Sequence, residues 1–450
     1  MKKRIVVLGG GESGVGAASL AKVKGYDVFL SDSGILNEKY RKVLLENDIN
    51  FEEGKHTPTL ILTADEIIKS PGIPESAPIM NTIFKSEIKV IDEIEFAARF
   101  LDAKFIAISG TNGKTTTTLL TYHLLKEAGI DVGLAGNVGQ SLAMQVIDKQ
   151  HEYYVLELSS FQLDYLYDFK PDVAILLNIT PDHLDRYSYD LDKYVTSKFG
   201  IANNMRASEK LIYFNEDNLI NGFFKKHKIK ATKYPVSLSG ELPKGAYKSG
   251  NQLEFVGVGD GDFSIPQSEV SLRGNHNLIN IMSAVMAARF TGVGEEAITA
   301  SLKTFKNAPH RLEFVADVNG IDFINDSKAT NVDAVSYALA SFDRPLIWIL
   351  GGIDKGNDYA QLNTLVKKNV RGIICLGKEN EKIKDAFSNQ VEEIKETDSA
   401  SGAVKLAYEM ADTGDIVLLS PACASFDLFN NYEERGDKFK EAVRKLKKVA

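Results

Sequence analysis

Cysteine is nearly missing from this chain: two, Cys375 and Cys423, occur in 450 residues, and their separation fits no metal-type spacing. That excludes a disulfide framework and a cysteine-ligated zinc site, and predicts a reduced, cytoplasmic setting. Long apolar runs are missing too. None approaches the ~18 residues needed to span a bilayer. The basic start Met1-Lys2-Lys3-Arg4 leads into an apolar run, Ile5 to Leu8, that breaks at once into Gly9-Gly10-Gly11, too short for a signal peptide. A positive charge excess is also lacking: 53 Lys and Arg stand against 61 Asp and Glu, a net charge of -8. This argues against a nucleic-acid or anionic-membrane partner. Low-complexity tracts and solenoid repeats are absent.

What is present is the balance of a soluble globular protein, 44% hydrophobic and 25% charged, in a chain too long for one ordinary core. A short β-rich apolar run, a Gly- or Ser-rich turn and a helical stretch recur along it, which predicts α/β domains with largely parallel sheets. Expected strands are Arg4 to Leu8, Asp27 to Leu30, Leu60 to Leu62 and Ile67 to Ile68, then Phe105 to Ile108, Tyr153 to Leu158 and Val173 to Leu177. Ile321 to Ile324, Leu346 to Leu350, Gly372 to Leu376 and Asp415 to Leu419 follow. Boundaries fall near 94 and 307, giving domains 1–94, 95–307 and 308–450. The Lys-, Gly- and Asn-rich stretch Glu209 to Val270 reads as a small antiparallel excursion or a mobile insert. In open parallel sheets ligands bind beyond the carboxyl ends of the strands, and polar signatures sit there repeatedly.

The first is Gly110-Thr111-Asn112-Gly113-Lys114-Thr115, between a strand and a helix carrying Leu120, Leu124 and Leu125 on one face. Glycines let backbone N–H groups turn toward phosphate oxygens, and the helix N-terminus adds favourable partial charge. Lys114 reaches outer phosphates, and a hydroxyl of Thr115 or Thr116 suits Mg²⁺. Only two residues separate its glycines, so it is a variant of the usual phosphate loop. After the first strand, Gly9-Gly10-Gly11-Glu12-Ser13-Gly14 with Asp32 ending the second fits a dinucleotide-type turn. A nucleotide-sugar diphosphate would use that turn equally well.

Glu157 ends a strand beside the phosphate loop, the usual place for a carboxylate that holds the triphosphate's Mg²⁺. His183, between Asp182 and Asp185, is either a ligand for a second metal or structural. Lys198, on an expected helix, reads by itself as a solvated surface lysine. Asn277 and Asn280 lie one helical turn apart and either face one ligand or cap the helix that begins there. Arg311 follows His310 at the domain junction. Asp326 to Asn331 and Ser420 to Phe426 follow strands and combine hydroxyls with small residues; Lys328 and Lys355 supply cations. Cys423, with no histidine partner in evidence, reads as a small buried hydrophobe.

Taken together, Gly-Thr-Asn-Gly-Lys-Thr at 110–115, Asn-His-Asn at 275–277, His310-Arg311 and Asp-Ser-Lys-Ala-Thr-Asn at 326–331 resemble the Mur ligases, which build the peptide stem of peptidoglycan. The resemblance spans the chain. It implies three α/β domains: N-terminal Rossmann-like, central P-loop ATPase-like and C-terminal Rossmann-like. Glu157 to Leu163 and Ser420 to Ser425 most resemble the member that adds D-glutamate to UDP-MurNAc-L-Ala, with ATP activating the carboxylate as an acyl phosphate. By that resemblance, Gly110, Thr111, Asn112, Gly113, Lys114, Thr115 and Thr116 hold the triphosphate. Asn277, Asn280, Arg311 and Asp326 surround the remainder of ATP, and Lys328 steadies the transferring phosphoryl group. Thr115 or Thr116 and Glu157 serve one Mg²⁺; His183 and Lys198, the latter carbamylated, serve a second. Ser13, Gly14, Asp32, Ser70, Pro71, Gly72, Asn137, Gln162 and His183 take the UDP-sugar, while Thr330, Lys355 and Ser425 take D-glutamate. A monomeric cytoplasmic enzyme is implied, with no nucleic-acid or membrane partner. A ligase for L-alanine or a folylpolyglutamate synthase, a nucleotide-binding sensor, and a nicotinamide oxidoreductase are the alternatives.

Overall fold

Strand-forming runs of β-branched and aliphatic residues assemble three sheets in the computed structural model, which describes residues 2–272 and 274–449. The first sheet comprises β1 (Arg4–Leu8), β2 (Asp27–Ser31), β3 (Asn50–Glu52), β4 (Glu66–Lys69) and β5 (Val90–Ile91). All neighbours are parallel, in the order β3-β2-β1-β4-β5. The helix Glu12–Val23 returns from β1 and packs on the helix Leu142–Asp148. Gly16 permits that approach, because a Cβ there would collide with Ser141 Oγ.

The second sheet holds β6 (Lys104–Ser109), β7 (Val132–Gly136), β8 (Tyr153–Glu157), β9 (Val173–Leu176), β10 (Lys210–Phe214), β11 (Thr232–Ser237), β12 (Gly245–Ser249), β13 (Gln252–Val256) and β14 (Phe263–Pro266). Its order is β14-β13-β12-β11-β10-β9-β6-β8-β7. Strands from β7 across to β12 pair in parallel; β12, β13 and β14 pair antiparallel. Central strands are buried on both faces and so read as unbroken apolar runs, Phe105-Ile106-Ala107-Ile108 and Val173-Ala174-Ile175-Leu176. These two sheets belong to one compact unit, the residues up to Ser271 with Leu278–Phe305, and share a core that runs from Val7 and Leu30 to Leu156 and Phe199.

The other compact unit contains Leu272–Asn277 and the residues from Lys306 on. Its sheet is β15 (Glu313–Val318), β16 (Ile321–Asn325), β17 (Leu346–Leu350), β18 (Val370–Leu376), β19 (Glu393–Thr397) and β20 (Ile416–Leu419), in the order β15-β16-β20-β17-β18-β19. Only β15 is antiparallel to its neighbour. β17 shows why one strand needs apolar residues at every position. Leu346, Trp348 and Leu350 enter the core on one face, while Ile347 and Ile349 enter that on the other.

Two expectations need correction. Leu60 to Leu62 is no strand: Pro58 opens a short helix, Pro58–Ile61, since proline's fixed φ suits the first helical position. The stretch Glu209 to Val270 is not a separate excursion. β10 and β11 continue the parallel sheet, and only its outer edge turns antiparallel. Among the described residues, no helix is long and apolar enough to cross a membrane.

Candidate active site

The phosphate loop is built by three glycine- and asparagine-dependent features. Gly110 and Gly113 take φ of +147° and +85°, conformations that cost an L-residue. A Cβ on Gly113 would collide with Asn280 Oδ1, and one on Gly110 would press on Leu177 and Asn178. Asn178, just beyond β9, staples the turn. Its carbonyl accepts from Thr111 N at 2.8 Å, its Oδ1 from Asn112 N at 2.8 Å, and its Nδ2 donates to Asn112 O at 3.0 Å. The helix Lys114–Glu127 starts directly after Gly113, so backbone N–H groups and the helix dipole converge there. Lys114 Nζ donates to Gly110 O and Thr111 O at 2.8 and 2.7 Å.

Lys198 sits on the helix Leu191–Phe199 yet is 2% exposed, so the surface reading of its helix position fails. Its Nζ donates to Gly110 O at 2.9 Å and lies over the Tyr194 ring at 4.7 Å. Burial, reinforced by the neighbouring Lys114 charge, pushes its pKa well below the ordinary lysine range. Tyr194 joins the same cluster through a 3.0 Å hydroxyl contact with Thr111 Oγ1. Glu157 ends β8, adjacent to β6 in register Ile108↔Glu157, and is buried with Oε2 lacking any hydrogen-bond partner. An unpartnered buried carboxylate oxygen is costly unless a cation meets it. Thr115 and Thr116, both buried, begin the facing helix. Among the described residues no group of three or more His, Cys, Asp or Glu forms a metal cage. These donors fit an Mg²⁺ shared between one carboxylate, a hydroxyl and phosphate oxygens, the ordinary habit of that ion.

A cavity of about 310 Å³ gathers many of the sequence-selected residues in this unit. Thr111, Lys114 and Lys198 line it, with Asn137, His183, Pro71 and Gly72; Ser159, Ser160, Phe161, Asp182, Arg186 and Tyr194 complete the wall. His183 is held at φ +51°, its ring edge-on to Phe161 at 5.5 Å. Gln162 is turned into the wall. Its Oε1 accepts from Ser159 N at 3.1 Å in a capping box, and Asp92 is buried nearby in the same unit. Burial raises the Asp92 pKa to about 8.

The glycine-rich turn of the first sheet is equally tight. Gly14 lies against Gly9 O so closely that a Cβ would collide, and Asp32 accepts from Gly10 N and, at 2.7 Å, from Gly34 N. Ser13 is on the first turn of the following helix, and Ser70 Oγ is buried without a hydrogen-bond partner. Two cations that sequence reasoning passed over clamp the Ser70-Pro71-Gly72-Ile73 turn. Lys69 Nζ donates to Ile73 O at 3.0 Å, and Arg186 Nη2 to Gly72 O at 3.0 Å. Lys69 is buried, and desolvation lowers its pKa to about 8. Asn178 was likewise missed as a staple. A polar residue directly past a strand end, facing a glycine turn on the next strand, is the signal that points to it.

In the other unit, β16, β20 and β17 are adjacent and parallel, so the loops that follow them meet at one edge. Asp326, buried, accepts from Ser420 Oγ at 2.9 Å and Leu312 N at 3.2 Å; burial raises its pKa to about 7. Lys328, half-buried, holds its Nζ 5.1 Å from the Tyr432 ring centre. Thr330 is half-buried, Ser425 buried and Lys355 exposed. Cys423 is fully buried with its pKa raised by burial, as a small hydrophobe should be. Asn277 and Arg311 belong to this unit, whereas Asn280 belongs to the first; both asparagines are buried in the helix Asn275–Phe290. Asn280 lies in its second turn, beyond capping reach.

Comparison with known proteins gives three family matches: Mur ligase middle domain over residues 108–288, Mur ligase glutamate ligase domain over 310–423, and MurD N-terminal domain over 4–78. UDP-N-acetylmuramoylalanine--D-glutamate ligase of Cytophaga hutchinsonii is 52% identical over 448 residues, 99% of this chain and 100% of that protein. The protein of the same name from Bacteroides fragilis is 49% identical, over 99% and 100% of the two chains. Among solved structures, a pseudomurein peptide ligase type C from Methanothermus fervidus matches with TM-score 0.64 at 19% identity, covering 99% of this chain and 100% of that one. UDP-N-acetylmuramate-alanine ligase from Thermotoga maritima matches with TM-score 0.60 at 18% identity, over 99% and 100%. At those identities the structural likeness speaks for the fold.

Proposed function

The chain belongs to the Mur ligase family, and we propose that its sites work together to join D-glutamate to UDP-N-acetylmuramoyl-L-alanine at the expense of ATP, in the supply of peptidoglycan precursors. One observation carries the reading. A phosphate loop, a buried lysine and the Pro71-Gly72 turn of a nucleotide-type sheet face a single cavity. That arrangement suits a γ-phosphate brought to a carboxylate carried on a nucleotide-sugar.

In this reading the γ-phosphoryl group passes to the terminal carboxylate, and the amine of D-glutamate then displaces phosphate from the acyl phosphate. The chain's task is positioning and charge neutralisation. Gly110 to Thr116 hold the triphosphate, with Lys114 on its outer oxygens; Asn277, Asn280, Arg311 and Asp326 take the rest of ATP. Ser13, Gly14, Asp32, Ser70, Pro71, Gly72, Asn137, Gln162 and His183 hold the UDP-sugar. Lys328 steadies the transferred group, while Thr330, Lys355 and Ser425 hold D-glutamate. Thr115 or Thr116 and Glu157 would hold one Mg²⁺, and His183 with Lys198 a second. Bound Mg²⁺ neutralises phosphate charge.

Lys198 serves a cation only after modification, because an ammonium repels one. Its burial beside Lys114 supports that step by favouring the neutral amine. The amine attacks the carbon of CO₂ and loses a proton, leaving a carbamate whose oxygens are the hard donors that Mg²⁺ takes. The division at residues 94 and 307 and a monomeric, cytoplasmic enzyme belong to the same proposal.

The test is phosphate release by the purified protein with UDP-MurNAc-L-Ala, ATP, Mg²⁺ and one amino acid at a time. Release with D-glutamate and none with L-glutamate or L-alanine is expected. Silence with all three overturns the reading.

A further inference from the structure

Arg435, on the helix Tyr432–Val449, is 1% exposed, and its guanidinium reaches three different loops of its unit. Nε donates to Ser327 Oγ at 3.0 Å and Nη2 to Ser327 O at 2.9 Å. Nη1 points to Cys423 O at 3.2 Å and Gly351 O at 3.4 Å. Ser327 follows β16, Gly351 follows β17 and Cys423 follows β20. Every one of these acceptors is neutral. Asp427 and the Cys423 side chain act on the charge only at longer range, and burial lowers the arginine pKa to about 10.

A cation taken out of water without an ion-pair partner costs stability, so its place here calls for a function. The geometry supplies one. Only a planar fork of N–H donors can satisfy carbonyls that arrive from three directions; a lysine ammonium is a point charge on a flexible stem. The same loops are laced to one another as well. Gly351 N donates to Pro421 O at 3.0 Å, Ile353 N to Ala424 O at 2.8 Å, and Ala422 N to Ala329 O at 3.0 Å. Ala422 is held at φ +60°, a conformation an alanine keeps only when its surroundings over-determine it. Lys328, Thr330, Lys355 and Ser425 all ride on these three loops.

We propose that Arg435 is a positioning and specificity residue for the amino-acid substrate. It locks the Ser327, Gly351 and Cys423 loops in register, and its unneutralised charge makes their rim favour an amino acid with two carboxylates. The inference rests on the reading that these loops hold D-glutamate. A buried charge acts through little water, so it reaches the rim with weak screening. Arg435 itself does not touch the substrate; it acts through the loops it holds.

Three variants test this in the full chain: R435Q, R435K and S327A. Each is assayed for the KM of D-glutamate, ATP and UDP-MurNAc-L-Ala, and each is melted to establish that it folds. R435Q is expected to raise the KM for D-glutamate about tenfold or more, the scale of one lost charge-assisted contact, with the ATP KM within about twofold. R435K, which keeps the charge but not the fork, falls between R435Q and the unsubstituted protein. S327A, which removes the Nε acceptor together with the 2.8 Å bond that Ser327 Oγ donates to Tyr432 O, raises the D-glutamate KM by about threefold and carries the test if both arginine variants fail to fold. Folded variants whose D-glutamate KM is unchanged, or whose ATP KM moves equally, overturn the inference alone. An unsubstituted protein that does not use D-glutamate overturns the functional reading, and this inference with it.

Discussion

Replacing Gly113 with alanine strikes the point where the phosphate loop, its helix and Asn280 meet. Two costs can be read from the geometry. The φ of +85° lies in the left-handed region, where an L-residue pays about 1–2 kcal/mol. The new Cβ would collide with Asn280 Oδ1 and stand 3.2 Å from Leu177 Cδ1. Asn280 must then retreat by roughly 1 Å to reach van der Waals contact, or the loop must shift by a similar amount. A shift of that size in the groups that cradle the phosphates costs on the order of 10²-fold. The expected result is a melting point lowered by a few degrees and ATP affinity weakened by roughly ten- to hundredfold, read by calorimetric titration. The partner substitution separates the two costs. G113A combined with N280A relieves the collision but not the φ strain, so the double variant should be more stable than the sum of the singles by about 1 kcal/mol. Wild-type ATP affinity in G113A would refute the loop's role. Strict additivity would refute the Asn280 contact.

Lys198→Ala should fold and still bind ATP, yet lose at least about 10²-fold in activity, with partial rescue by added short carboxylates; full activity would refute the carbamate. Glu157→Gln removes a buried charge whose Oε2 has no protein partner, so the melting point should hold or rise while turnover collapses. A variant with normal turnover at low Mg²⁺ would exclude Glu157 as an ion ligand. Asp326 offers a pH test. Its folded pKa is raised to about 7 by burial, against about 3.9 for a free aspartate. The fold therefore binds the extra proton between these values. The group's penalty is absent below about pH 4, grows as pH rises and is complete above about pH 7. Melting points of Asp326→Asn relative to the parent should climb across that window, and parallel curves would show the carboxyl is not perturbed.

The parts of the site legible in the sequence were those written in consecutive residues. A glycine-threonine-asparagine turn between a strand and a helix declares its phosphate-binding geometry locally, and Glu157 declares itself by ending a strand. Lys198 did not. Helix position alone marks it as a surface residue, and only the packing of the helix Leu191–Phe199 beside the loop reveals a buried amine 2.9 Å from Gly110 O. Asn178, Arg186 and Arg435 act on backbone carbonyls or amides contributed by distant segments, and no local pattern encodes such pairings. The strand expected at Leu60 to Leu62 failed for a simpler reason. Three apolar-looking residues carry no period, and Pro58 had already set a helical turn.

The central claim is that the γ-phosphate goes to a carboxylate, and oxygen labelling reads it directly. UDP-MurNAc-L-Ala carrying ¹⁸O in its terminal carboxylate is turned over with ATP and D-glutamate, and the released phosphate is examined by mass spectrometry. The account predicts one ¹⁸O in each phosphate, left behind when the amine displaces it from the acyl phosphate. Phosphate released without label, at a rate matching amide formation, would contradict it.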